Sequence, residues 1–216
     1  MNENLSDKKS SEVKPTVAQT GEINISKWIM GGWDLVMQDF GQFLLLSFIY
    51  IVLLTVAFST LIIGLILAGP LTAGFFYIIL NRIRGKEIYI GDIAKGFEVF
   101  VAAVLVDILI SVFTSIGFTL LIIPGIVISA IYMFAFPLIM EKKMDFWQAM
   151  ETSRKVVSRN LFELSIFMLV LYIFLFIGML LLLVGVFVAL PIVLAAIAYA
   201  YCDLIGLEEP VVESSK

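Results

Sequence analysis

The chain has 216 residues, of which 61% are hydrophobic and only 15% are charged, and its mean hydropathy is +1.06. A soluble domain carries roughly 25% charged residues, and this chain has too few polar residues to cover the surface of a water-soluble globule. The net charge is −4, and the absence of histidine and the single cysteine, Cys202, argue against metal, thiol and disulfide chemistry. We therefore expect an integral membrane protein with no cofactor and no enzyme activity.

The two ends of the chain are predicted to be cytoplasmic tails. Residues 1–24 are polar, carry charges of both signs and show no apolar periodicity. Such a segment cannot bury enough apolar surface to offset its chain entropy, so we expect it to be disordered. Residues 207–216 are expected to form the second tail, and residues 25–206 a single membrane domain.

Three long runs of sequence almost lack charge. Residues 40–81 and 164–202 contain no charged side chain, and residues 99–140 contain only Asp107. One membrane span needs roughly 20 residues, because a helix rises about 1.5 Å per residue and the hydrocarbon core is about 30 Å thick. Each run is therefore long enough for two spans, which predicts an all-α polytopic transmembrane bundle of about six spans. The three predicted helical hairpins cover about residues 40–82, 97–140 and 161–205.

Helix-breaking residues lie near the middle of each run, where a glycine precedes a proline by six or seven residues. The candidate hinge or turn residues are Gly64, Pro70, Gly117, Pro124, Gly125, Gly185 and Pro191. We expect the prolines to begin or kink the returning helices. Returning helices that begin at these prolines would be short, so partly re-entrant hairpins are an alternative.

The same spacing predicts an internal repeat of three related hairpins, because a tyrosine also follows each proline by seven or eight residues. The alternative is coincidence, since Gly, Pro and Tyr are common in membrane helices and at their ends.

The positions of the 14 Lys and Arg residues predict the orientation. All of them lie in the tails or in the segments that precede or separate the hairpins, and none lies in a predicted turn. Because Lys and Arg are retained in the cytoplasm, we expect both termini and both inter-hairpin segments to be cytoplasmic.

Short interfacial helices are predicted before the hairpins, at about residues 26–38, 91–97 and 145–160. The last of these is the clearest, because its apolar side chains recur at helical spacing on one face and its basic ones lie elsewhere. Asp145 is its expected N-cap. These helices either anchor the hairpins on anionic lipid headgroups or form a docking surface for a cytoplasmic protein. The candidate surface residues are Trp28, Trp33, Phe146, Trp147, Arg154, Lys155 and Arg159.

Asp107 is the one carboxylate deep in a predicted span. A span that starts near Phe97 places it about 15 Å into the membrane, near the midplane. Such residues are costly to bury and are candidates for function. One interpretation is a polar site, with Ser111, that handles an ion, a proton or a solute. The other is a structural hydrogen bond to Ser111, Thr114, Ser129 or a tyrosine.

Small residues recur at helical spacing in two spans and predict close helix–helix contacts. They are Gly69, Ala73 and Gly74 in one span, and Ala195, Ala196, Ala198 and Ala200 in the last. The contacts lie either within one chain or between copies in a homo-oligomer.

Four ordered motifs, G-P-L-x-x-G, G-F-x-x-F, L-x-I-P-G-I and A-x-x-x-S-R, resemble those of a family of bacterial integral membrane proteins of unknown function. The matching positions are Gly69, Pro70, Leu71, Gly74, Gly96, Phe97, Phe100, Pro124, Gly125, Ile126, Ala149, Ser153 and Arg154. The resemblance covers roughly residues 40–205. It implies a multi-pass protein of the bacterial inner membrane, and the family brings no established catalytic residues.

The sequence therefore favours an inner-membrane protein without an evident catalytic site, with a structural, assembly or regulatory role. The alternative is a small transporter or channel that uses Asp107. The expected partners are the lipid bilayer and its anionic headgroups, with a cytoplasmic protein or a second copy of the chain as further candidates. No nucleic-acid partner is expected.

Overall fold

The computed structural model describes residues 23–59, 61–181 and 184–207, so nearly all of the predicted N-terminal and C-terminal tails lie outside them. Within these ranges the chain forms helices and no strand. They are α1 (Ile25–Gln38), α2 (Phe40–Phe58), α3 (Leu61–Ile83), a 3₁₀ helix (Ile90–Val99), α4 (Phe100–Leu120), α5 (Ile122–Tyr132), α6 (Ala135–Glu141), α7 (Phe146–Val157), a 3₁₀ turn (Ser158–Asn160), α8 (Leu161–Leu180) and α9 (Val184–Leu204).

Six helical segments of the described chain are long and apolar enough to cross a membrane. The outgoing helices are α2, α4 and α8, and the returning helices are α3, α5 with α6, and α9. The prediction of an all-α polytopic bundle is confirmed, and the protein is an integral membrane protein. The returning helices are not short: α3 has 23 residues and α9 has 21, so each is roughly 30 Å long.

The turns lie earlier than predicted in two of the three hairpins. In the second hairpin, α4 ends at Leu120 and α5 begins at Ile122, between Gly117 and Pro124 as expected. In the first hairpin the turn precedes α3, so both Gly64 and Pro70 lie inside that helix.

The third hairpin differs from the prediction in the same way, because Gly185 and Pro191 lie inside α9. A proline in a helix interior removes one hydrogen bond and normally breaks a soluble helix. Membrane helices tolerate it because the neighbouring helices compensate for the lost bond. These prolines therefore do not mark the start of a helix.

The returning helices form the centre of the bundle. In the most apolar window of α3, of α5 with α6, and of α9, 61%, 56% and 56% of residues are buried, against 28%, 11% and 28% in the outgoing segments. The outgoing helices therefore present apolar side chains outward. The small residues of the last span, Ala195, Ala196, Ala198 and Ala200, are fully buried within the chain. Their close contacts are thus formed inside one copy.

The 3₁₀ helix and α3 touch through their backbones. A Cβ atom on Gly96 would lie 1.9 Å from the Pro70 carbonyl oxygen, and one on Gly74 would lie 1.9 Å from the Ile93 carbonyl oxygen. No side chain fits at either position. Three glycine and proline positions of the first two motifs, Pro70, Gly74 and Gly96, therefore serve one close packing contact.

The second returning helix is broken between α5 and α6. Pro137 has no N–H, and its ring would collide with the carbonyl four residues earlier, at Met133. Ser153 of α7 fills the break: its Oγ donates to the Ile131 carbonyl (2.7 Å) and accepts from the Phe134 N–H (3.2 Å). Ser153 is fully buried, so this hydroxyl attaches α7 to the membrane bundle.

The residue directly before each outgoing span has backbone angles outside the α region. Asp39, Val99 and Asn160 have φ/ψ angles of −121°/42°, −111°/30° and −136°/50°. These conformations are similar and lie outside the α region. The chain therefore bends in the same way at the start of each hairpin.

Each hairpin has its turn at one end of the bundle, and we call the opposite end of the bundle the charged end. Ion pairs link the hairpins there. Asp39 at the start of α2 pairs with Arg82 near the end of α3. Arg84, just after α3, pairs with Glu141 at the end of α6. These pairs join the two helices of the first hairpin to each other and the first hairpin to the second.

Candidate functional site

The helix α7 is fixed at its start by the predicted cap. Asp145 Oδ1 accepts from the backbone N–H groups of Trp147 (2.7 Å) and Gln148 (3.1 Å), which have no partner within the helix. One face of α7 then packs on the bundle. Its buried residues are Ala149, Met150, Ser153 and Val157.

The opposite face of α7 is exposed and carries most of the predicted surface residues. Trp147 is 64% exposed. Arg154 binds Glu151 through two hydrogen bonds (2.7 and 2.8 Å), and Lys155 Nζ lies 3.3 Å from the same carboxylate. The hydrogen bond from Arg154, with a smaller contribution from Lys155, lowers the pKa of Glu151 to about 2. Arg159 is exposed and forms no ion pair with any described residue, so its charge is the least compensated on this face.

Exposed aromatic side chains continue from α7 around the charged end. We call this set the aromatic rim: Trp33, Phe40, Tyr89, Phe97, Phe100, Trp147 and Phe162. Tryptophan and tyrosine concentrate where a membrane protein meets the headgroup region, because their rings are apolar and their edges are polar. The rim therefore indicates the level at which the bundle meets the headgroups.

The structure contradicts the surface role predicted for Trp28. This side chain is fully buried, and its Nε1 donates to Asp203 Oδ2 (2.7 Å), to which Lys27 also binds (2.8 Å). Its ring meets Phe167 edge-on, with centroids 5.2 Å apart. The physical reason is that α1 packs on α9, where a Cβ on Gly32 would lie 2.8 Å from the α9 backbone. Trp28 is therefore a core residue.

The other predicted surface residues are accessible to different degrees. Trp33 is 45% exposed, whereas Phe146 is only partly exposed because it lies at the edge of the buried face of α7. Arg154 and Lys155 are both exposed. The structure thus brings Trp147, Arg154 and Lys155 together on one helix, while Trp33 belongs to α1.

Asp107 lies in α4, which begins at Phe100, so it is about 10 Å from the start of that helix. Its depth in the membrane stays a prediction. The side chain is half-buried and forms no hydrogen bond or ion pair with any described residue. The Tyr50 hydroxyl shares a hydrogen bond with Thr72 Oγ1 (2.9 Å).

The hydrogen bonds expected for Asp107 are therefore absent among the described residues. Ser111, one turn along α4, is exposed and does not bind it. Ser129 Oγ instead donates to the Gly125 carbonyl (2.8 Å) and accepts from the Tyr172 hydroxyl (2.8 Å). Of the groups expected to bind Asp107, Ser129 thus binds elsewhere.

Sequence reasoning missed the roles of three residues that hold the charged end together. Glu141 and Asp203 border the uncharged runs, and each pairs with a cation from another part of the chain. Ser153 was noted as a motif residue, but its spacing from Pro137 carries no signal of a contact. The sequence does offer one signal: Ser153 is a polar residue on the apolar face of an amphipathic helix.

Among the residues that the structure describes, no three cysteine or carboxylate side chains lie close enough to hold a metal ion. Comparisons with protein-family models, with curated proteins and with solved structures find no match to the chain. The resemblance to the bacterial membrane-protein family therefore stays a prediction.

Proposed function

We propose that the protein is a non-catalytic component of the bacterial inner membrane, with a structural, assembly or regulatory role. The observation that supports this best is the division of α7 into a buried face and an exposed aromatic and basic face. A helix of this kind lies in the headgroup region. The distribution of Lys and Arg puts this end of the bundle and both termini in the cytoplasm.

Anionic lipid headgroups are the ligand that the outer face of α7 suits best. Trp147 and Phe162 offer large exposed apolar surfaces beside the basic side chains. Each Lys or Arg near an anionic leaflet contributes about 1 kcal/mol. Because Glu151 already neutralises part of the charge of Arg154 and Lys155, Arg159 is expected to contribute most.

Lipid retention tests this proposal directly. The protein is purified from membranes containing phosphatidylglycerol and phosphatidylethanolamine, and bound lipids are counted by native mass spectrometry. We expect Arg159→Gln to retain less phosphatidylglycerol than the wild type. Lys86→Gln removes one exposed charge away from α7 and should have a smaller effect. Equal retention by the wild type and Arg159→Gln would contradict a lipid-binding face.

A protein partner on the same face is tested by crosslinking in the membrane. A photoreactive amino acid at Trp147 should give a discrete protein adduct in a structural or regulatory complex, whereas the same group at Tyr89, an exposed rim residue outside α7, should not. If position 147 gives only lipid adducts, the partner is lipid alone.

A second function, that of a small transporter or channel, is favoured by a polar stripe on α4. Asp107, Ser111 and Thr114 follow the spacing i, i+4, i+7 and so lie on one helix face, and the last two line a cavity in the bundle. Solute or proton flux into proteoliposomes should then fall in Asp107→Asn. Background flux in both the wild type and the variant would contradict this function.

A further inference from the structure

A cavity of about 310 Å³ lies inside the bundle, between the returning helices and α4 and α8. Most of its lining is apolar, and no charged side chain of the described residues takes part in it. Several residues of the lining bear a hydroxyl group, among them Ser111, Thr114, Ser129 and Tyr172. Its size is at the lower end of the range for small-molecule sites, about 300–1,000 Å³.

The two hydroxyls from α4 have no hydrogen-bond partner among the described residues. The Ser111 side chain is exposed, and Thr114 Oγ1 is buried without a partner. Several hydroxyls in the spans donate to the carbonyl four residues earlier, as Thr55 and Ser165 do at 2.8 and 2.6 Å, whereas Ser47 Oγ, like Thr114 Oγ1, is buried without a partner among the described residues. A hydroxyl left without a partner in an apolar environment is costly. Ser111 is therefore free to bind a molecule in the cavity.

The opposite side of the cavity can accept a hydrogen bond. The Tyr172 hydroxyl uses its hydrogen on Ser129 Oγ (2.8 Å), and its oxygen keeps a lone pair. Ser111 can donate, so the two sides together fit a group that both accepts and donates. A hydroxyl is the simplest such group, and a charged one would meet no counter-charge in this lining.

We propose that this cavity binds a neutral, largely apolar molecule of the membrane interior that carries one hydroxyl, hydrogen-bonded by Ser111 and Tyr172. No residue of α7 lines this site, so the proposed binding can be tested independently of the proposed role of that helix. Ser111 and Thr114 belong to both proposals, but Asp107 does not line the cavity, so Asp107→Asn tests transport and Ser111→Ala tests this site.

The experiment uses the full chain in nanodiscs and an octanol that carries a photoreactive diazirine. Labelled peptides are identified by mass spectrometry, and labelling is competed by 1-octanol, octane or octylammonium at equal concentration in the bilayer. We expect the label on α4 and α8, and competition by 1-octanol well above that by octane or octylammonium. Loss of one hydrogen bond in Ser111→Ala should weaken the competition by 1-octanol roughly three- to tenfold.

Ser115→Ala is the matched control, because Ser115 is exposed one turn further along α4 and does not line the cavity. It should leave the competition unchanged. Tyr172→Phe tests the second contact and keeps the ring in place. The proposal is overturned if the label falls outside the residues that line the cavity, if octane competes as well as 1-octanol, or if Ser111→Ala and Ser115→Ala behave alike. Melting curves of each variant show that the fold is retained.

Discussion

Two buried polar contacts determine how the helices at the charged end are held. The Ser153 hydroxyl occupies the break between α5 and α6, where Pro137 prevents a continuous helix. The Asp203 carboxylate receives the indole N–H of Trp28 and the ammonium of Lys27. In both places a side chain from one helix forms a hydrogen bond with a polar group of another helix. Each contact therefore determines where a helix packs, in addition to stabilising the protein.

We predict that Ser153→Ala destabilises the protein by about 1–3 kcal/mol, because the Phe134 N–H is left buried without an acceptor. The measurement is the free energy of unfolding in mixed micelles. Ser158→Ala is the control: Ser158 is exposed and its Oγ binds only the Arg154 carbonyl within its own helical region. If the two variants lose the same stability, Ser153 does not fill the break as described.

We predict that Asp203→Ala costs about 1–3 kcal/mol, since the buried Trp28 Nε1 loses its acceptor. Lys27→Gln should cost less than about 1 kcal/mol, because the lysine side chain is 61% exposed and exposed ion pairs contribute little. Unfolding of the two variants, followed by tryptophan fluorescence, separates these effects. A larger loss in Lys27→Gln would mean that the ion pair, and not the indole bond, holds α1 on α9.

At the scale of elements, backbone contacts set the packing between the 3₁₀ helix and α3. Gly96 and Gly74 leave no room for a Cβ atom, whereas Gly91, in the same 3₁₀ helix, has no atom within 4 Å of a built Cβ. Two glycines of one short helix therefore have very different tolerance to substitution.

We predict that Gly96→Ala destabilises the protein by about 1–3 kcal/mol through overpacking, and that Gly91→Ala changes stability by less than about 0.5 kcal/mol. Thermal unfolding in detergent, with the yield of folded protein, measures both. Comparable behaviour of the two variants would show that the contact with Pro70 is not tight.

The elements also show how far a sequence pattern reaches. The internal repeat stays a prediction: the chain has similar backbone angles at Asp39, Val99 and Asn160, but positions that the repeat would make equivalent differ in burial. Trp28 is buried and Trp147 is 64% exposed, although each precedes a phenylalanine by 15 residues. A repeat predicts the place of a residue within its hairpin. Its neighbours depend on which other helix packs there, and local sequence does not encode that.

For the whole molecule, the number of spans could be predicted because the length of each uncharged run can be read directly from the sequence. The positions of the turns in the first and third hairpins could not be predicted, because Pro70 and Pro191 are tolerated inside membrane helices. In addition, no polar residue marks the turn of the third hairpin. The candidate site was predicted in part. The outer residues of α7 follow from its periodicity, but the cavity beside Ser111 is built from five segments far apart in the chain.

The most direct test of the three-hairpin arrangement is the accessibility of single cysteines, which Cys202→Ser makes available by removing the one native thiol. A membrane-impermeant maleimide is applied to bacterial spheroplasts before and after the membrane is opened. We predict that Ser59→Cys, in the first turn, reacts from outside, whereas Lys86→Cys and Ser158→Cys, in the two segments between hairpins, react only after opening. Reaction of Lys86→Cys or Ser158→Cys in closed spheroplasts would contradict the arrangement.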